Sequence, residues 1–186
     1  MAQAGVTFKD GSRYQGQLLD GKPNGKGVLT FARGGEYNGE FVNGVIAGEG
    51  TMVFADGTVY GGQWQDNLCH GTGTMATPAG VEYIGQWREG VCHGQGSMTT
   101  QTGIEYIGDF YAGHISGQGT LKTPDGTVYK GGFKDSRCHG RGVLTTPDGI
   151  AFSGEFDDGE VDLALFMKAL SVCRTTSKIR KLHIVA

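Results

Sequence analysis

Aromatic and other apolar residues recur along this chain at a fixed step of 23 residues. In the segment Tyr83-Ile84-Gly85-Gln86-Trp87, positions 83, 85 and 87 would face one side of a β-strand and the two intervening residues the other side. The leading aromatic residues are Tyr14, Tyr37, Tyr60, Tyr83, Tyr106, Tyr129 and Phe152. A second apolar residue follows four positions later in every unit, at Leu18, Phe41, Trp64, Trp87, Phe110, Phe133 and Phe156. The pattern predicts strands with one apolar and one polar face.

Glycines divide each unit into two halves. A Gly-x-Gly motif occurs at positions 25/27, 48/50, 71/73, 94/96, 117/119 and 140/142. With residues 88–93 as a turn and Gly94-Gln95-Gly96 opening a returning strand, each unit is interpreted as a β-hairpin. A period of this size without an insertion indicates a repeat architecture. We therefore predict an all-β fold, an elongated single-layer antiparallel ribbon of stacked 23-residue β-hairpin repeats.

The repeat array is expected to span residues 1–160. It comprises a half unit at 5–13 and units that start at 14, 37, 60, 83, 106, 129 and 152. Residues 161–174 are predicted to form a helix that either caps the open end of the ribbon or joins two chains. The apolar positions of this helix include Leu163, Phe166, Met167 and Leu170. Residues 175–186 form a basic tail.

Charge is unevenly distributed along the chain, whose net charge is −3. All 19 acidic residues and 11 of the 16 Lys and Arg lie at or before Asp162, which leaves that part at −8 and the last 24 residues at +5. An acidic body argues against nucleic-acid binding, which needs clustered cations. No signal peptide or apolar run of membrane-spanning length is recognised, so the four cysteines are expected to be reduced thiols in the cytoplasm.

The pattern Tyr-x-Gly-x-Phe/Trp-x-x-Gly-x-x-x-Gly-x-Gly, repeated in seven registers over about residues 5–160, resembles the MORN repeat (membrane occupation and recognition nexus). Asn67 and Ser136 depart from one glycine column of that pattern, at turn positions that tolerate them. The resemblance implies binding and scaffolding rather than catalysis. The chain is similar to the C-terminal part of all-MORN cytoskeletal scaffolds, in which dimers form through the C-terminal region. We therefore expect a cytoplasmic, cytoskeleton-associated homodimer that binds cytoskeletal or flagellar proteins.

The apolar face of a single-layer ribbon should be partly open, and an aromatic stripe of this kind typically marks a partner surface. The alternative is that the rings only pack on one another and on glycine. The predicted protein-binding trough comprises Tyr37, Phe41, Tyr60, Trp64, Tyr83, Trp87, Tyr106, Phe110, Tyr129 and Phe133.

Cys-His pairs occupy the same predicted turn in three units. Thiolate and imidazole are suitable zinc ligands, and Cys69-His70 and Cys92-His93 are the best candidates. Neighbouring turns would lie about 10 Å apart, so zinc would require curled turns or two facing chains. The alternative is that these pairs pack structurally. No cofactor is expected to be required.

Catalysis and membrane recognition are the two other functions to which the sequence could point. Catalysis has little support, because no serine lies in a nucleophile elbow and the Gly-x-Gly motifs do not open helices. Phosphoinositide or membrane recognition is the main alternative function. The tail could contact anionic lipid weakly, at about 1 kcal/mol per basic residue near the surface.

Overall fold

The computed structural model describes residues 4–159, which form one antiparallel sheet of 14 strands in sequence order. The strands are β1 Ala4–Thr7, β2 Arg13–Leu19, β3 Lys22–Thr30, β4 Gly35–Val42, β5 Val45–Phe54, β6 Val59–Gln65, β7 Leu68–Ala76, β8 Glu82–Arg88, β9 Val91–Thr99, β10 Glu105–Tyr111, β11 His114–Lys122, β12 Val128–Lys134, β13 Arg137–Thr145 and β14 Ala151–Gly159. At about 4.8 Å per strand, the sheet is roughly 60 Å long. The predicted all-β hairpin ribbon is confirmed, whereas the predicted helix at 161–174 and the tail at 175–186 lie outside the described residues.

Each hairpin turns on two residues with positive φ. Glu89 and Gly90 have φ of 49° and 79°, the signature of a type I′ turn, whose twist matches that of the flanking strands. The equivalent pairs are Asp20-Gly21, Asn43-Gly44, Asp66-Asn67, Ala112-Gly113 and Asp135-Ser136. The expected turn at residues 88–93 is therefore wrong, because two residues suffice and β9 already begins at Val91.

Consecutive units are linked through these hairpin turns. The Gly90 amide donates to the Cys69 carbonyl of the preceding unit at 2.9 Å. At two turns Asn67 or Ser136 replaces glycine, and its side chain accepts a hydrogen bond from the preceding unit. The Ile46 amide donates to Asn67 Oδ1 at 2.9 Å, and the Ile115 amide donates to Ser136 Oγ at 3.2 Å. The two departures from the glycine column thus add a bond between units.

The chain passes from one unit to the next through a compact turn, and four of these turns contain an aspartate whose side chain accepts a hydrogen bond within the turn. In one example, the Thr123 amide donates to the Thr127 carbonyl at 2.9 Å and the Gly126 amide donates to the Thr123 carbonyl at 2.9 Å. The Asp125 carboxylate accepts from the Thr127 amide at 3.1 Å and from the Thr123 hydroxyl. These hydrogen bonds, that from the Thr123 side chain first, lower the pKa of Asp125. The turn is fixed by local side-chain chemistry.

The core is a ladder of rings that lie over glycine. A Cβ on Gly85 or Gly96 would come within 2.5 to 2.8 Å of the Tyr83 ring or hydroxyl, so only glycine fits beneath this side chain. The Tyr83 hydroxyl donates to the Gln86 carbonyl at 2.8 Å. Trp87 meets Tyr60 and Tyr83 edge-to-face at centroid distances of 5.0 and 5.1 Å, a favourable aromatic geometry. The same alternation continues from Tyr14 to Phe156.

A bulge in the second strand of each hairpin makes room for this ladder. The register of β8 against β9 shifts between Gly85 and Trp87, and Gly94 adopts φ of 64°. The Gln86 side chain spans the bulge, because its Oε1 accepts from the Gln95 amide at 2.9 Å. The equivalent pairs are Gln17 to Lys26, Glu40 to Glu49, Gln63 to Thr72 and Asp109 to Gln118.

The first prediction compares two glycines from paired strands. Gly73→Ala places a Cβ 2.3 Å from the Tyr60 hydroxyl, whereas a Cβ on Gly61 meets nothing nearer than Thr51 Oγ1 at 3.6 Å. Gly73→Ala should therefore lower the free energy of unfolding by about 1–3 kcal/mol, as overpacking does. Gly61→Ala should leave it unchanged or raise it slightly. Urea titration measures both, and equal effects would contradict the ring-on-glycine account.

Candidate protein-binding face

The rings predicted to form the binding trough are buried. Their exposed fractions are only 0–4%, because each ring lies on the glycine backbone and its neighbours cover its edges. This set comprises Tyr37, Phe41, Tyr60, Trp64, Tyr83, Trp87, Tyr106, Phe110, Tyr129 and Phe133. The expectation of a partly open aromatic face is therefore wrong. Within residues 4–159 these rings have almost no exposed surface with which to contact a partner.

The Cys-His pairs lie within strands rather than in turns. Cys69 and Cys92 are buried in the core, in the column that Ile46 and Ile115 occupy in other units. Successive strand residues face opposite sides, so the histidine that follows each cysteine lies on the outer face. His93, for example, packs beside Tyr111 at a ring distance of 5.3 Å.

Zinc coordination gains no support within one chain from this arrangement. In residues 4–159, no three His, Cys, Asp or Glu side chains are grouped so that they could hold a metal ion. Cys69 and His70, like Cys92 and His93, belong to opposite faces and would not converge on one ion. Zinc at these four residues stays an untested prediction that would require a second chain.

Burial alters the acid–base chemistry of the core. Desolvation raises the pKa of the Cys138 thiol to about 11 and that of Tyr129 to about 12. Desolvation also raises the pKa of Tyr37, Tyr60 and Tyr106. The thiol is therefore neutral near pH 7 and is not in the thiolate form that nucleophilic or metal chemistry requires.

The second prediction concerns alkaline stability. Folding raises the pKa of the Cys138 thiol from 9.0 to about 11. The contribution of this neutral thiol to the free energy of unfolding is therefore fully present below pH 9 and is lost as the pH rises through 11. The free energy of unfolding should therefore fall over this range. Cys138→Val should show a smaller fall, because that thiol no longer ionises in the unfolded state. Urea titrations at pH 7, 9 and 11 measure the difference, and identical curves would contradict it.

The outer face of the sheet carries the side chains that remain accessible. Ile84 and Ile107 are exposed to 57% and 63%, and both pair with Ser97, which lies between them on β9. These three neighbours form a small apolar patch with a polar residue at its centre. Such an exposed apolar patch offers contact area to a partner.

An open groove of about 980 Å³ adjoins this patch and shares Ile107 with it, over β9 to β14. Ile107 and Val143 contribute its apolar part, and Lys130 and Arg141 together with Asp109 and Glu155 contribute two charges of each sign. Position 132 is glycine, where the first five units have the side chain that spans the bulge. A Cβ on Gly132 would lie 2.2 Å from the His139 carbonyl oxygen.

The sequence prediction placed the binding trough on a face whose rings are buried. The residue three positions after the leading aromatic is Gln17, Glu40, Gln63, Gln86 or Asp109 in the first five units, and this column of acceptors was the missed signal for the bulge. The residue one position after the leader includes Ile84 and Ile107. Apolar residues in a column that should face solvent were the available signal for the outer patch.

The geometry defines a class of protein, an all-β array of hairpin repeats. The family model for the MORN repeat matches residues 14–36, 37–59, 60–81, 83–104, 106–128 and 129–150. The chain therefore belongs to the MORN-repeat family. No curated protein matches the chain significantly. Within residues 4–159, no helix is long and apolar enough to cross a membrane.

Two solved structures show distant similarity. The SAS-4 (dCPAP) TCP domain of Drosophila melanogaster, in complex with a proline-rich motif of Ana2 (dSTIL), is 12% identical, with a TM-score of 0.25 over 83% of this chain and 90% of that chain. The G-box domain of the microcephaly protein CPAP is 16% identical, with a TM-score of 0.38 over 84% of this chain and 100% of that chain. Both TM-scores are below the level at which a shared fold is inferred.

Proposed function

We propose that this chain is a non-enzymatic scaffold that binds other proteins through the outer face of its sheet. The supporting observation is that the two faces of the sheet differ in how far their apolar side chains are exposed. The inner rings are buried against one another and against glycine, whereas the outer face presents Ile84, Ile107 and an adjoining groove to solvent. An array whose units contact only their neighbours offers a long, continuous surface, which suits scaffolding.

The partners that we propose are cytoskeletal or flagellar proteins, and the proposed oligomer is a homodimer in a cytoplasmic, cytoskeleton-associated setting. Membership of the MORN family and the resemblance to all-MORN cytoskeletal scaffolds support both parts of this proposal. The alternative is a module that recognises phosphoinositide headgroups. The two functions differ in whether the chain binds a protein polymer or a lipid surface.

The third prediction separates these functions by cosedimentation. The full chain should pellet with microtubules, and it should pellet no more with phosphoinositide liposomes than with liposomes that lack this lipid. Ile84→Glu with Ile107→Glu should abolish pelleting, because charge replaces the apolar contacts of the outer patch. Leu19→Glu with Val42→Glu is the matched control, since these residues are also exposed, to 56% and 54%, but lie in the first units.

Two results would contradict the proposed function. The first is pelleting with phosphoinositide liposomes but not with microtubules, which would favour lipid recognition. The second is an equal loss in the patch variant and its control, which would remove the outer patch from the binding surface. Unchanged urea unfolding in both variants shows that any loss reflects binding.

The fourth prediction concerns self-association. Light scattering on the protein as it elutes from a sizing column should give a mass near twice 19.7 kDa. A second run after treatment with a zinc chelator tests whether metal joins the chains. A dimer that persists places self-association outside the Cys-His pairs, and one that splits supports zinc between two chains. The mass of a single chain in both runs would refute the homodimer.

A further inference from the structure

The exposed residues Ile84 and Ile107 lie in one row that crosses the strands on the outer face. Both pair with Ser97 on the intervening strand β9, so two strand spacings separate them, or roughly 9.6 Å at about 4.8 Å per strand. Their side chains are exposed to 57% and 63%. A partner segment that contacts the two isoleucines in succession therefore runs across the strands.

A second row, two residues along the strands from the first, carries negative charge. Glu82 and Glu105 are exposed, and both pair with Thr99 on β9. The two carboxylates therefore repeat the spacing of the two isoleucines, at a lateral distance of roughly 7 Å at about 3.3 Å per residue. An apolar row and an acidic row thus lie side by side on the same three strands.

The negative charge beside the isoleucines is only partly balanced. Among the described residues, Glu82 forms no ion pair, and Arg88, the only Lys or Arg on β8 to β10, lies six residues away at the other end of β8. Glu105 lies 3.6 Å from Lys122, but both side chains are about half exposed, and such surface pairs contribute little. Asp109 on β10 adds a third carboxylate, which already accepts a backbone hydrogen bond. Three carboxylates and one ammonium group leave this part of the outer face at −2.

The spacing of the two rows distinguishes a helix from an extended segment. In an α-helix, residues i and i+7 lie on the same face, about 10.5 Å apart at about 1.5 Å per residue. In an extended strand, residues on one face lie about 7 or 13 Å apart, at two or four residues of about 3.3 Å. A helix about 10 Å in diameter that crosses the strands covers both rows and presents positions seven residues apart to each of them.

The adjoining groove continues the apolar row beyond Ile107. Ile107 pairs with Thr120, Thr120 with Lys130, and Lys130 with Val143. From Ile84 to Val143 the row crosses five strand spacings, or roughly 24 Å at about 4.8 Å per strand, which corresponds to about 16 helical residues. The groove carries two charges of each sign. It therefore accommodates a helix by its shape, and the carboxylates beside the isoleucines select the charge of that helix.

We propose that the outer face of β8 to β10 binds a basic amphipathic helix of a partner protein, with apolar residues on Ile84 and Ile107 and with Lys or Arg facing Glu82 and Glu105. The inference rests on the proposed scaffold function and specifies the chemistry of the partner. Charge complementarity orients the helix, because the acidic row lies along only one side of the isoleucines.

The test is a selection on the full chain from a display library of helix-forming peptides, followed by affinity measurement with the selected peptides. Peptides of about 18 residues are long enough for the row of roughly 24 Å. Enriched peptides should carry apolar residues seven positions apart and Lys or Arg along one flank of that stripe. Glu82→Lys with Glu105→Lys should weaken their binding by at least about tenfold, as charge reversal at close contacts does. Glu82→Gln with Glu105→Gln should weaken it less, and added salt should weaken binding to the wild type.

Tyr111 provides a control for the direction of the helix. This residue is exposed to 66% and lies four residues beyond Ile107 on β10, roughly 13 Å away at about 3.3 Å per residue. Tyr111→Ala should retain wild-type affinity, whereas Ile84→Ala with Ile107→Ala should lose at least about tenfold. An equal loss in Tyr111→Ala would mean that the ligand runs along β10, and it would overturn the proposal.

Glu36→Lys with Glu49→Lys is the matched charge control, because both are exposed outer-face glutamates, on β4 and β5. It should retain wild-type affinity, and unchanged urea unfolding in each variant shows that any loss reflects binding. Equal losses in both reversal variants, or binding that survives Glu82→Lys with Glu105→Lys, would overturn the proposal.

The selection also separates this proposal from the scaffold function. Enrichment of neutral or acidic helices, or of no peptide although the chain pellets with microtubules, would overturn the helix proposal alone. If no peptide is enriched and the chain also fails to pellet with microtubules, both proposals fail.

Discussion

The contact on which this structure depends is that of a tyrosine ring with the backbone of two paired glycines. Tyr60 over Gly62 and Gly73 is one instance, and no side chain could be added to either glycine without displacing the ring or the opposite strand. Since the ring covers backbone rather than side chains, one layer of sheet can bury its own apolar surface. A second layer, which most sheets need, is replaced by the rings and their edge-to-face neighbours.

The two faces of the sheet therefore meet different requirements. The inner face is the same in nearly every unit, and its indole N–H groups are satisfied internally, as when Trp87 Nε1 donates to the Gly73 carbonyl at 3.1 Å. The outer face carries no such requirement, so its residues can differ from unit to unit. Apolar side chains occur at β8 and β10, and cations occur at β11 to β13. Differences along the outer face give each segment of the array its own chemistry.

The strands and their order followed from the sequence because period-2 alternation and the 23-residue step are local signals. The position of the hairpin turn did not follow, since a type I′ turn needs only positive φ at two residues, and Ala112 or Glu89 gives little sign of it. The burial of Trp64 and Trp87 was also missed. It depends on the bulge at Gly71 and Gly94, which alternation alone does not reveal. The outer groove arises from residues of six strands together, and no single repeat shows it.

The order of the strands has a mechanical consequence. Hydrogen bonds between antiparallel strands run perpendicular to the strands, so tension along the axis of the sheet stretches them directly. The strand interfaces are connected in series, and the weakest one limits the load that the whole array transmits. The junctions from β2 to β14 each pair six or seven residues, so a pull along this axis meets interfaces of similar size throughout that part of the sheet.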